Sequence, residues 1–205
     1  MSTRHADAHA ALWPRFGVTV VDGDRAPLDL PQLFGRRAPV VLEIGFGMGD
    51  ATAAMAAAAP ERDFLGVEVH TPGIGNLLAL AGELRLTNLR VAQGDALQLV
   101  HRIAPGALDA VHVFFPDPWP KARHHKRRLI QSANVALLRE RLSPGGVLHC
   151  ATDWPEYAVA MTETLDGDPG LRRLPAGRGE RPETKFERRG SLAGRPIADL
   201  RYART

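Results

Sequence analysis

Asp117 is the residue whose neighbours most clearly suggest chemistry in this 205-residue chain. It lies in Phe114-Phe-Pro-Asp-Pro-Trp-Pro-Lys-Ala-Arg-His-His-Lys-Arg-Arg-Leu129, with prolines at 116, 118 and 120. Proline lacks an amide hydrogen and has a fixed φ, so this spacing forbids helix and ladder alike and predicts a stiff, extended loop. Five cations follow, Lys121, Arg123, Lys126, Arg127 and Arg128, with no acidic residue before Glu140. One carboxylate on a rigid loop beside a dense positive patch suits chemistry on a polyanion. An aspartate that merely caps a turn would leave the basic run without a purpose.

A second group of residues suggests a cofactor. Gly45-Phe-Gly-Met-Gly49 separates an apolar run, Val40-Val-Leu-Glu-Ile44, from an alanine-rich helix former. Glycines at such a turn let backbone amides and a ligand approach closely. Glu68, at the end of the next apolar run, is placed to accept hydrogen bonds from ribose hydroxyls. A dinucleotide fingerprint would need glycine at position 50, where Asp50 stands. Glu43, Glu68 and Asp95, one acid at each of three successive strand ends, would repel a diphosphate. The same three carboxylates suit a sulfonium cation, a ribose and an adenine amine, which favours S-adenosylmethionine over a nicotinamide dinucleotide.

The elements that must position these residues alternate. Strands are predicted at 40–44, 64–68, 89–92, 110–115 and 147–152. Helices are expected at 51–59, 75–87, 96–103, 129–142 and 154–165, with a short one at 8–16 interrupted by Pro14. The segment from Pro27 to Pro39 reads as connecting loop, and past Leu171 the pattern loosens. Such alternation implies an α/β fold with a doubly wound, mostly parallel sheet and helices on both faces, the site lying at the strands' carboxyl ends.

Composition bounds the rest. Hydrophobic residues make up 44% of the chain and charged ones 24%, ordinary for a globular protein with one core. No apolar run approaches a membrane span, and the N-terminus lacks the layout of a signal peptide. The single cysteine, Cys150, excludes an internal disulfide framework and fits a reducing cytoplasm. It lies in an apolar run and is expected to pack rather than react. His124 and His125 lack partners at metal-ligand spacing, so no metal is expected. Net charge is +3, but residues 172–205 carry ten Lys/Arg against four Asp/Glu, leaving the body mildly acidic. This asymmetry points to a nucleic-acid partner. If all five cations after Asp117 neutralise phosphates, the logarithm of affinity should fall with that of salt at a slope of roughly −3.5 to −4.5.

Several of these motifs resemble the bacterial tRNA (guanine-N7-)-methyltransferase family. Leu42-Glu-Ile-Gly-Phe-Gly-Met-Gly49 is similar to its first motif and Phe64-Leu-Gly-Val-Glu-Val-His70 to its second. Residues 115–129 are similar to its signature, and Arg181-Pro-Glu-Thr-Lys-Phe-Glu-Arg-Arg-Gly190 to its C-terminal substrate motif. The resemblance, running from about Val40 to Tyr202, implies a Rossmann-like class I methyltransferase fold in one domain. Residues 1–38 would form an N-terminal extension and 172–205 a basic substrate-binding segment. It implies that Glu43, Glu68, Asp95 and Asp117 bind S-adenosylmethionine, with Asp117 also catalytic; Gly45 and Gly47 of the glycine turn are expected to bind it too. It implies that Lys121, Asp153, Thr184, Lys185, Phe186 and Glu187 contact the substrate, a guanine in the tRNA variable loop, and Arg123 of the basic run is expected to join them. It further implies a cytoplasmic enzyme, monomeric or homodimeric, with tRNA as partner and no membrane attachment. One departure stands out: the family usually carries Gly-His before an Asp-Leu-x-Tyr ending, whereas Gly194-Arg195-Pro196 precedes Asp199-Leu-Arg-Tyr202 here. From the residues alone, an exocyclic-amine methyltransferase and a non-catalytic RNA-binding module on the same scaffold remain open alternatives.

Overall fold

The computed structural model describes residues 2–183, 187, 192 and 194–205. Its strands are β1 (Gly17–Thr19), β2 (Val40–Ile44), β3 (Asp63–Glu68), β4 (Leu89–Gln93), β5 (Leu108–Phe114), β6 (Leu142–Thr152), β7 (Leu171–Arg173) and β8 (Ala198–Arg204). They form one sheet in the order β1-β4-β3-β2-β5-β6-β8-β7. Pairing is parallel from β1 through β6, and β8 runs antiparallel to both β6 and β7. The chain winds outward from β2 through β3 to β4, then returns to the other side of β2 to lay down β5 and β6. The order therefore reverses between β2 and β5, the place where open α/β sheets leave a crevice.

The helices are α1 (Thr3–Phe16), α2 (Leu30–Phe34), α3 (Asp50–Ala58), α4 (Thr71–Glu83), α5 (Ala96–Arg102), α6 (Ser132–Arg141) and α7 (Pro155–Asp166), with a 3-10 turn at Ala122–Arg127. Buried residues of α2, α5, α6 and α7 share one core with Leu42, Val113 and Cys150 of the sheet. Those of α1, α3 and α4 share the other with Val41, Phe64 and Phe114. Neighbouring residues of a strand thus serve opposite cores, as the pleat requires.

Several expectations need correcting. The first helix starts at Thr3 and runs through Pro14 without interruption. Ser2 caps it by accepting from the His5 amide, and Arg4 ties it to Glu83 and Asn76 of α4. The supposed connecting loop after Pro27 contains α2, capped by Asp29, whose Oδ1 accepts from the Gln32 amide at 3.0 Å. The helix expected at 129–142 begins only at Ser132, and residues from Leu142 onward already belong to β6. The loosened region past Leu171 supplies β7 and β8, which close the sheet's far edge.

Candidate active site

The predicted acids stand at the carboxyl ends of neighbouring strands, in the order Asp95, Glu68, Glu43, Asp117, Asp153 along β4-β3-β2-β5-β6. Ladder hydrogen bonds extend past the strands and hold the loops side by side. Gly45 N–H donates to Val67 O at 2.9 Å, Gly94 N–H to Glu68 O at 3.1 Å, and Phe115 N–H to Ala151 O at 2.7 Å. The glycine turn leaving β2 and the proline loop leaving β5 accordingly flank the point where strand order reverses.

Gly45, Gly47 and Gly49 have φ of 72°, 59° and 78°, the left-handed region in which a β-carbon is costly. A β-carbon on Gly45 would meet nothing within 4 Å, so this backbone faces open space. The turn's other side is tightly packed: a β-carbon on Gly73, in the first turn of α4, would stand 1.8 Å from Gly47 O. Glu68 is fixed by three backbone amides, Gly47 on Oε2 at 2.9 Å and Val69 and His70 on Oε1 at 2.7 and 3.0 Å. Asp95 is exposed and caps α5, its Oδ1 accepting from the Gln98 amide at 2.9 Å.

Glu43 differs from the other acids. It is buried in the middle of the sheet, and burial pushes its carboxyl up from 4.5 to about 7. The Thr52 hydroxyl opposes this shift without closing a regular hydrogen bond, since Thr52 Oγ1 and Glu43 Oε2 are both buried and unpartnered among the described residues. A buried, unpartnered carboxyl oxygen beside an open glycine cradle and a rigidly held Glu68 fits a cationic, ribose-bearing cofactor such as S-adenosylmethionine.

Asp117 is exposed and has no side-chain hydrogen bond among the described residues. Its loop is braced instead. Arg128 is buried, donates through Nε to Pro118 O at 2.8 Å and through Nη2 to Glu156 at 3.0 Å, and lies over the Tyr157 ring. It is therefore a structural member of the loop, and the expectation that all five cations after Asp117 face phosphates is corrected to four. Lys121, Arg123, Lys126 and Arg127 are exposed, with Arg127 stacked over Trp119. Asp153 is partly exposed and pairs through Oδ2 with Arg195 Nη2 at 2.7 Å. The departure from the Gly-His pattern thus places a cation on one of the expected substrate contacts. Glu187 is buried, with Arg178 on Oε1 and Arg181 on Oε2 at 2.6 Å. Thr184, Lys185 and Phe186 lie outside the described residues.

Sequence reasoning assigned nothing to Arg181, Asp199 or His149, although the first two fall within motifs it quoted. Arg181 has a fully buried side chain, and its fork meets Asp199 at 2.9 and 2.8 Å. Burial alone would raise the Asp199 carboxyl, but hydrogen bonds from His149 and Arg181 hold it well below the usual range. The available signal was a histidine in an otherwise apolar strand. Burial pushes the Cys150 thiol up to about 12, in keeping with a packing role. Among the described residues no group of His, Cys, Asp and Glu could hold a metal ion, and no helix is long and apolar enough to cross a membrane.

Glu43 carries a testable pH signature. Below pH 4.5 it is protonated in folded and unfolded chains alike. Between 4.5 and about 7 only the unfolded chain loses its proton, so rising pH destabilises the cofactor-free fold, by about 1.4 kcal/mol per unit and about 3 kcal/mol in all. Denaturant titrations of wild type and Glu43→Gln at pH 5 and 8 should therefore converge at the lower pH and diverge in the variant's favour at the higher. A constant difference between them would contradict the buried, protonated state.

Residues 37–200 match the family model described as a putative methyltransferase. The tRNA (guanine-N(7)-)-methyltransferase of Halorhodospira halophila is 55% identical over 198 residues, 93% of this chain and 85% of its own length. The enzyme of the same name from Nitrosospira multiformis is 51% identical over 205 residues, 98% of this chain and 88% of its own. Among solved structures, the 16S rRNA methyltransferase KamB superposes with a TM-score of 0.63 at 18% identity, covering 91% of this chain and 98% of its own. An adenine-N(1) 16S rRNA methyltransferase from Catenulisporales acidiphilia, solved with its cosubstrate, gives 0.59 at 18% identity, covering 88% and 93%. These likenesses confirm the Rossmann-like class I methyltransferase architecture. With this fold, these strand-end carboxylates and relatives sharing half of its residues, the chain belongs to the tRNA (guanine-N7-)-methyltransferase family and is an S-adenosylmethionine-dependent methyltransferase.

Proposed function

We infer that the chain methylates N7 of a guanine in the tRNA variable loop, with Asp117 holding the base and the exposed cations beside it gripping the RNA backbone. The observation that carries this reading is the placement of Asp117, on a braced loop and without a side-chain partner among the described residues, across the strand-order reversal from the glycine turn. S-adenosylmethionine, when bound, supplies a methyl group already activated by its sulfonium.

Guanine N7 offers an in-plane lone pair and carries no proton, so the chain need not supply a strong base. What remains is alignment, worth about 7–11 kcal/mol when the reacting atoms are held at near-attack distance. Methylation places positive charge on the imidazole ring, and a fixed carboxylate stabilises that charge more than it stabilises neutral guanine. Asp117 is therefore an orienting and electrostatic residue, hydrogen-bonded to the base edge or the cofactor. Glu68, locked by its three amides, receives the ribose hydroxyls. Glu43, protonated up to about pH 7 in the cofactor-free chain, would ionise to balance the cofactor's positive charge, and Asp95 would accept from the adenine amine.

The base edge needs an acceptor for N1–H and the exocyclic amine. Asp153 suits this role, since Arg195 holds Oδ2 and leaves Oδ1 to the base. Glu187 is gripped by Arg178 and Arg181, and it shares the substrate motif with Thr184, Lys185 and Phe186. Lys121, Arg123, Lys126 and Arg127 meet phosphates, while Trp119 lies under Arg127.

Asp117→Ala should lower kcat about 100-fold or more on unmodified tRNA transcripts while leaving tRNA affinity nearly unchanged; near-normal turnover would refute its role. The methylated nucleoside, identified by mass spectrometry and chemical cleavage, should be 7-methylguanosine. With Arg128 withdrawn from the phosphate count, tRNA binding should weaken with salt at a slope of about −2.8 to −3.6 from this loop. Replacing Lys121, Arg123, Lys126 and Arg127 together should remove that part of the slope, and an unaltered slope would place the RNA elsewhere.

A further inference from the structure

On the face of the sheet that carries α1, α3 and α4, Ala110, Phe114 and Ala151 join the core of those helices. Polar side chains of β5, β6 and β8 lie beside them on the same face. His112, His149 and Arg201 stand opposite one another across β5, β6 and β8, with Phe114, Ala151 and Asp199 two positions further along. Glu180 and Arg181 line a cavity together with His112, His149 and Arg201.

The Arg181 guanidinium joins three parts of the molecule. Its Nε and Nη2 make a two-point contact with Asp199 of β8, at 2.9 and 2.8 Å, and Asp199 also takes His149 Nε2 of β6 at 2.9 Å. Its Nη1 reaches Glu187 Oε2 at 2.6 Å, within the substrate motif. The cation's centre lies 5.6 Å from the Phe114 ring and 5.4 Å from the Phe115 ring. Phe115 has φ of 53° and immediately precedes Pro116 and Asp117, so its side chain fixes where the proline loop departs. A planar fork can serve two carboxylates along its edges while its surroundings hold two rings; a lysine ammonium, a single point charge, cannot.

We propose that Arg181, the first residue of the substrate motif, is a positioning residue for methyl transfer, setting the separation between Glu187 of that motif and the root of the Asp117 loop. It acts through Glu187 and Phe115 and does not touch the tRNA. This rests on the reading above, in which that motif and Asp117 address the same guanine. If the clamp were only structural, its loss would lower stability and all ligand affinities together. A positioning role predicts a different pattern: the chemical step suffers while cofactor binding, which lies across the glycine turn, does not.

The test uses full-length Arg181→Lys, with single-turnover methylation of unmodified tRNA at saturating concentration, cofactor affinity by calorimetry and thermal melting measured side by side. The expected result is a single-turnover rate lower by about 100-fold, the scale of loss for a displacement near 1 Å, with cofactor Kd within about twofold of wild type. Removing one partner of a buried ion pair is strongly destabilising, so Asp199→Asn, which keeps the arginine but weakens one edge of its fork, provides a second route. It should show a smaller loss of the same kind, and the double variant should lose less than the product of the two. A wild-type rate in Arg181→Lys, or a parallel collapse of rate and cofactor affinity in both variants, would overturn the proposal. Asp117→Ala on the same transcript separates the two layers. If it is inactive while Arg181→Lys is normal, only the positioning role falls; if it is fully active, the reading beneath falls as well.

Discussion

The hydrogen bond from the buried Arg128 guanidinium to Pro118 O is the contact on which the proposed catalytic loop depends. Asp117 has no side-chain hydrogen bond of its own among the described residues, so its direction is set entirely by the backbone that carries it. Prolines at 116, 118 and 120 remove three of the amides through which a loop would ordinarily tie itself down, so its carbonyls become important handles. Arg128 takes one of those carbonyls and is itself held by Glu156 and the Tyr157 ring of α7. From the opposite face, Arg181 packs against the two phenylalanines from which the loop springs. A free carboxylate on a doubly braced backbone is what alignment chemistry requires, because a carboxylate already bound within the protein could not turn to a base.

The end proposed to hold the cofactor is built by the complementary device. Glu43, Glu68 and Asp95 form a row of acids at adjacent strand ends, each restrained differently: one by burial, one by three amides, one by capping a helix. Burying Glu43 costs the cofactor-free enzyme stability above its ordinary range, a strain of the kind that functional sites tolerate when a ligand relieves it. The glycine turn between these acids borders open space at Gly45 and is closed against α4 at Gly47, so its shape is preset.

Much of this was readable in the sequence because it follows from local rules. Apolar runs ending in acids gave β2 to β6, and the glycine and proline clusters marked the loops that flank the reversal. What escaped depended on distant partners. β8 alternates cleanly, with Leu200 and Tyr202 toward one core and Asp199 and Arg201 on the other face, yet it pairs with β6 across some fifty residues. The buried state of Arg128 follows from Glu156 and Tyr157, which nothing in the basic run announces. The roles of Arg181 and Glu187 likewise emerge only once β8 brings Asp199 beneath them. The short helix α2 is a different case: the Asp29 to Gln32 spacing carried a capping signal that the surrounding prolines obscured.

The most direct test of this account is a crystal structure of the chain with S-adenosylhomocysteine and an unmodified tRNA. The braced loop predicts that residues 115–120 superpose on the free enzyme to within about 1 Å, with the variable-loop guanine's N7 facing the sulfur and Asp117 within hydrogen-bond distance of base or cofactor. A loop that rebuilds on binding, or an Asp117 that points away from both, would contradict it.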